Sequence, residues 1–332
     1  RRPSAHPQGG GPQRQLLGER SSPGLWAVFD ESLSGAKYVD MTHSISPTEP
    51  VWVGFGQPSA GASVAGKTMK GFIKEGEEFT YAQHGFQATA YTLTTDQLGT
   101  QLDPPAHWNE LGATISDIPA TVSARPLVVI DMHDKVASDA GYHATRADCL
   151  AWEKRHGVKI PAHSVVFFRS DWSKGWKAMT SDTMPVKFPG VALDALKFLH
   201  LERGILLHGH EPLDTDMTPN LEGEAWLMHH NFAQAEGVAN LDQVAETGCL
   251  VSIGFAKILG GSGGYARYVA ICPPAHLYGV SILEVSGAPL PTQMSPLRRD
   301  AHGVLTPTLG AMPTLYCQNS AALGCANGTL VQ

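Results

Sequence analysis

The stretch that most restricts the fold spans residues 191–203 and the run ILLHGH that follows it. Leu193, Leu196 and Leu199 recur at helical spacing, Gly204 supplies the stop, and a β-rich segment ending at His210 begins at once. A helix delivered directly into a strand belongs to a layered α/β arrangement. The first half of the chain adds short β-rich runs: YVDMTHSI at 38–45, ATAYTLTT at 88–95, LVVID at 127–131 and SVVFFRS at 164–170. The second half closes with CLVSIGFAKI at 249–258 and ARYVAIC at 266–272, on either side of a GGSGG loop. That loop lacks the Lys-Ser/Thr and helix of a phosphate cradle and reads as a flexible connection. Two more helices are expected. Thr145 and Asp148 form a capping box with Asp in place of Glu, before CLAWEKRH and the stop at Gly157. EAWLMHH, from about residue 224, should end at Asn231, which tolerates a left-handed backbone.

Composition settles the broad class. With 332 residues, 42% apolar and 17% charged, the chain is long enough for a real core, and no run approaches the ~18 apolar residues of a membrane span. A soluble globular protein is expected, with no membrane partner. The net charge of −7, with few basic pairs, among them Arg1-Arg2 and Arg298-Arg299 near the termini, argues against a nucleic-acid partner. Residues 1–24 are rich in Gly, Pro, Ser, Gln and Arg and read as a flexible arm. Residues 291–332 are rich in Pro, Ser, Thr and Gly and read as a poorly packed tail, leaving one domain over 25–290. Cys149, Cys249 and Cys272 are expected to be small core residues. Cys317 and Cys325 lie beside Asn327-Gly328-Thr329, a glycosylation pattern; a tail disulfide in an exported chain would fit, but so short a pattern arises more often by chance. No charged segment leading into an apolar run of the signal-peptide kind is seen, and the compartment stays open between cytoplasmic and exported.

The segment richest in chemistry is DQLGTQLDPPAHW at 96–108. Pro104-Pro105 stiffens the backbone, so Asp103 and His107 are presented from a rigid loop or first helical turn, as a metal or catalytic site requires. The plainer alternative, of equal weight on spacing alone, makes Asp103 an N-cap with Pro at the first helical position.

The same segment resembles the signature His-x-Gly-Thr-His-x-Asp-x-Pro-x-His of the cyclase family of metal-dependent hydrolases, which includes kynurenine formamidase and isatin hydrolase. Laid on residues 97–107, the Gly, Thr, Asp, Pro and final His match, while Gln97 and Gln101 stand where the family has histidines. DMTHSISPTEPVW, RSDW at 169–172, GHEPLDTD at 209–216 and EGVANLDQV at 236–244 follow in the family's order, so the resemblance covers roughly 38–290. It implies an α/β domain with a mixed central sheet or β-barrel-like core and peripheral helices, assembled as a homodimer or higher homo-oligomer. It also implies metal ligands at Asp103, at the second signature position (Gln101), at a later position twelve before Glu236 that here is Glu224, and at Glu236, with His107 as general acid/base. Asp103, Glu224 and Glu236, with carbonyl oxygens from Gln97 and Gln101, make a hard-oxygen set. That suits one divalent ion, Mn²⁺ in preference to Zn²⁺.

Trp52, Phe55, Phe86 and Trp108 are candidates for an apolar rim around a flat aromatic substrate, and His210 and Glu211 for a pocket wall. His208 and His229 read as ordinary structural residues. The expected activity is hydrolysis of a C–N bond in a formamide or cyclic amide of a small aromatic compound. A lactone hydrolase or cyclase, and a catalytically silent small-molecule binding protein on the same fold, remain as alternatives.

Overall fold

The main sheet of this protein curls until it meets itself, with apolar residues on alternate strand positions facing inward. The structure is a computed structural model that describes residues 24–52, 54–179 and 186–273, with four short strand segments beyond. Eight strands form the main sheet: β1 (Lys37–Asp40), β2 (Gln101–Asp103), β3 (Ala124–Asp131), β4 (Val165–Arg169), β5 (Leu207–His210), β6 (Ala233–Glu236), β7 (Cys249–Phe255) and β8 (Gly264–Cys272). Their order is β1-β8-β7-β3-β4-β5-β6-β2, and β2 pairs in turn with β8, closing seven strands into a barrel. The run β3-β4-β5-β6 is parallel and the remaining pairings are antiparallel. β1 lies along the far end of β8, opposite Val269 to Cys272.

Strand alternation separates two cores. Leu102, Val129, Phe167, Leu207, Ala235, Val251 and Tyr268 fill the barrel interior. Val128, Ile130, Val166 and Phe168 point outward and pack beneath helices through Trp152, Leu196, Phe198 and Leu199. Those helices are α1 (Arg146–His156) and α2 (Leu193–Lys197), the latter continuing as a π-helical turn over Phe198–Arg203. A third, α3 (Glu222–His229), carries Glu224.

The expected stops hold. Thr145 and Asp148 form the reciprocal capping box, Gly157 and Gly204 are left-handed, and Asn231 takes φ 61° just past α3. The helix expected from 191 starts at Leu193 because Gly190–Val191 first pairs with His143–Ala144. The run at 88–95 contributes only Thr89–Thr92, which leaves the barrel to pair with Ser59–Ala62 in a separate exposed ribbon.

Two of the cysteines expected to be ordinary core residues are not. Antiparallel pairing of Leu250 with Ile271 sets Cys249 opposite Cys272, and they form a disulfide between β7 and β8. Cys149 is a buried free thiol, as expected. Cys317, Asn327 and residues 1–23 of the arm lie outside the described residues, as does most of the tail, where Leu297–Arg299 pairs with Leu305–Pro307 and Cys325–Ala326 with Thr329–Leu330. Among the described residues no helix is long and apolar enough to cross a membrane.

Candidate active site

The site forms on the outside of the barrel wall, where β2 and β6 run antiparallel. Their register sets Gln234 opposite Asp103 and Glu236 opposite Gln101. Leu102 and Ala235 between them point into the barrel, so the four polar side chains share the outer face. The two strand ends approach so closely that only glycine fits. Gly237 has φ 61°, and a Cβ there would lie 2.4 Å from the carbonyl oxygen of Gly99. From above, α3 lowers Glu224 onto this face, bringing ligand oxygens of Asp103, Glu224 and Glu236 within 4.8 Å of one another, all buried.

Neutral donors hold the carboxylates in place. Gln97 Nε2 donates to Asp103 Oδ1 (3.3 Å) and lies 2.5 Å from His107 Nδ1. Gln101 Nε2 donates to Glu236 Oε2 (2.7 Å), and Gln234 Nε2 donates to Glu236 Oε1 (2.9 Å) and to Asp103 Oδ2 (3.5 Å). Glu224 Oε1 accepts the Trp108 indole N–H at 3.0 Å and faces His107 Nε2 at 3.2 Å. The N-cap alternative for Asp103 fails: Pro104 occupies the cap position of the Pro105–His107 turn, and the Asp103 carboxylate faces Gln97 and Gln234 instead.

Electrostatically the cluster is incomplete. Burial, with a further push from Glu224 against the pull of His107, raises the Asp103 pKa to about 7. Burial and the charges of Asp103, Glu224 and Asp214 raise Glu236 well above the usual carboxylate range. Burial alone would lower the pKa of His107, but its hydrogen bond to Glu224 and the nearby charges of Asp103, Glu224 and Asp96 raise it on balance. Glu224 Oε2 and Gln101 Oε1 are buried with no hydrogen-bond partner. Buried acceptors left without a donor beside other carboxylates are costly. An oxygen-seeking divalent cation removes that cost, so the residues present fit such an ion.

Beside the cluster lies a cavity of about 390 Å³, walled by Trp52, Phe55, Trp108, Leu213 and Leu221, with Gln97, Gln101, His107, Glu224 and Glu236 at its polar end. Trp52, Phe55 and Trp108 thus stand where an apolar rim was expected. Phe86 packs instead on Phe72 and Phe79. His210 and Glu211 do not line the cavity. His210 is buried behind the carboxylates, with Nδ1 on the Pro212 carbonyl (3.1 Å) and Nε2 on the Thr215 hydroxyl (2.9 Å), and Thr215 in turn bonds Gln234 Oε1 (2.5 Å). Glu211 accepts backbone N–H bonds from Ser170, Asp171 and Ser173 and so holds the turn after β4. The amide nitrogen of Gln97, expected to offer its carbonyl oxygen, faces Asp103 and His107.

Gln234 and Asp214 escaped the sequence reading. Gln234 is two residues before Glu236 on a strand, and that alternation was the available signal. Asp214 lines the cavity and accepts the Trp52 indole N–H through Oδ2 at 3.2 Å. Burial and the charge of Glu224 raise its pKa to about 7.

The sequence profile of the Cyclase family matches residues 39–217, more than half of the chain. The chain belongs to the Cyclase family. An isatin hydrolase from Roseibium aggregatum is 30% identical over 205 residues, covering 57% of this cyclase-family chain and 77% of the relative. Among solved structures, isatin hydrolase A from Labrenzia aggregata, bound to benzyl benzoate, superposes with a TM-score of 0.63 at 26% identity, over 75% of this chain and 97% of that one. Isatin hydrolase A from Ralstonia solanacearum gives a TM-score of 0.62 at 25% identity, over 75% and 96%. These relatives are hydrolases, and they share the mixed barrel with peripheral helices that the resemblance implied.

Proposed function

We propose that this Cyclase-family protein is a divalent-metal-dependent hydrolase that cleaves a C–N bond in a formamide or cyclic amide of a small aromatic compound. The observation that carries the reading is the buried Asp103–Glu224–Glu236 cluster, with its unpartnered oxygens, at the polar end of an aromatic-walled cavity. The kinship with isatin hydrolases supports the substrate class.

Asp103, Glu224, Glu236 and Gln101 Oε1 would hold the ion, which, when bound, supplies a Lewis acid that polarises a carbonyl and lowers the pKa of water. An all-oxygen set favours Mn²⁺ over Zn²⁺. The remaining work falls to the protein. Trp52, Phe55 and Trp108 sandwich the aromatic ring and exclude water from it. Gln97 fixes Nδ1 of His107, leaving Nε2, shared with Glu224, as the atom that moves the proton. In the overall step one water is consumed: a C–O bond forms at the carbonyl carbon, the C–N bond breaks, and a proton passes through His107 to the departing nitrogen, giving a carboxylic acid and an amine.

The test is hydrolysis of isatin and of a formanilide by the purified protein, with Mn²⁺ and with chelator. Metal-dependent turnover of either is the expected result. A protein that binds aromatic amides but hydrolyses none under any metal is a silent binding protein, and that result overturns the proposal.

A further inference from the structure

The hydrogen-bonding inventory of the cavity is one-sided. Each side-chain donor atom at its wall already has at least one partner: Gln97 Nε2 faces Asp103 and His107, Gln101 Nε2 faces Glu236, Trp108 Nε1 and His107 Nε2 face Glu224, and Trp52 Nε1 faces Asp214. The open atoms are acceptors. Two of them, Glu224 Oε2 and Gln101 Oε1, belong with the carboxylate cluster. A further one is Oδ1 of Asp214, which stands outside that cluster and, like Gln97 Oε1, has no donor among the described residues, while Oδ2 is pinned by Trp52 at 3.2 Å. That bond fixes the carboxylate rotamer and sets it at the edge of the indole that walls the aromatic slot.

We propose that Asp214 is a specificity-determining residue that accepts a hydrogen bond from an N–H of the substrate, so that the site selects N–H-bearing aromatic amides and lactams over N-alkylated amides and lactones. The inference rests on the hydrolase reading above and names the substrate class more narrowly. A cation held by Asp103, Glu224 and Glu236 would offset the charge of Glu224 beside Asp214 and favour its carboxylate form. Discrimination against a ligand lacking the donor follows because that ligand would cover the half-buried Asp214 oxygen and leave it unpaired.

Three flat probes separate the possibilities: oxindole, which carries the lactam N–H; N-methyloxindole, which blocks it; and 2-coumaranone, which replaces N–H by oxygen at nearly constant shape. Binding to the Mn²⁺-loaded protein is read by quenching of tryptophan fluorescence, since Trp52 and Trp108 wall the cavity. The wild type is expected to bind oxindole at least about tenfold more tightly than either other probe. Asp214→Asn, which keeps an oxygen for Trp52 but turns an amide N–H₂ toward the cavity, is expected to lose that preference. Equal wild-type affinities for the three, binding of none, or a preference unchanged in Asp214→Asn each overturn the proposal. The wild-type comparison stands even if the variant does not fold. Selective binding of oxindole without turnover of any amide upholds the role of Asp214 while overturning the hydrolase reading.

Discussion

Asp103 sits at the centre of the residue-scale account, because it touches both Gln97 and Gln234 and shares the carboxylate cluster with Glu224 and Glu236. Asp103→Ala should abolish ion binding and turnover together. His107→Ala should keep the ion but lower kcat by about 10²–10⁴, the usual worth of a positioned acid/base. Metal content measured beside turnover separates the two roles, and a fully active His107→Ala protein would remove His107 from the mechanism. The raised carboxylate pKa values give a second prediction. Asp103 titrates near 7 in the folded, metal-free protein against an ordinary 3.8, so the folded state binds the extra proton between those values. Its contribution favours folding at low pH and is lost as pH rises through about 7. A cation competes with that proton, so Mn²⁺ should raise the thermal midpoint of chelated protein more at pH 8 than at pH 6; an equal shift would speak against ionised carboxylates as ligands. At this scale Asp103 and His107 stood out from one local segment, whereas Glu224 and Glu236 came only from the resemblance to the family; the structure brings Asp103, Glu224 and Glu236 together. Gln234 and Asp214 were not legible, because their roles depend on the register of β6 against β2 and on a Trp52 lying 162 residues from Asp214.

Elements position the site through a few backbone necessities. Gly237 lets β6 pass the Gly99 carbonyl in a left-handed conformation, so Gly237→Ala combines a clash with backbone strain. It should cost more than about 1 kcal/mol and displace the neighbouring Glu236. Denaturant unfolding beside metal titration checks both, and wild-type stability would refute the close-approach argument. The capping box of α1 is a control away from the site. Asp148 accepts from Thr145 N (2.7 Å), Thr145 Oγ1 (2.8 Å) and Tyr142 OH (2.7 Å), and pairs with Lys135. Asp148→Ala should therefore lower stability by about 1–2 kcal/mol and leave metal affinity unchanged. Caps and stops were readable because they are local chemistry: Thr145, Gly157, Gly204 and Asn231 behave as their residue types dictate. The run at 88–95 has the same alternating texture as barrel strands, and local pattern does not say that Thr89–Thr92 pairs with Ser59–Ala62 instead.

For the whole molecule, closure of the barrel sets the wall that carries the site. β8 is the seam, pairing with β7, with β1 and, through Gly264 and Tyr265, with β2. The Cys249–Cys272 disulfide staples β7 to this seam across a 23-residue separation. Reduction should cost about 3 kcal/mol on the loop-entropy scale, visible as a lower thermal midpoint with reductant. The mixed barrel followed from resemblance to a family, whereas the disulfide required knowing which strand faces which. The proposed chemistry requires an ion held by oxygen ligands on that wall, and the direct measurement is metal content per chain by plasma mass spectrometry after purification without chelator and reloading. About one divalent ion per wild-type chain, lost in Glu236→Gln, is the predicted result for a single oxygen-ligated site. No bound ion after reloading, or an ion retained in full by Glu236→Gln, would contradict it.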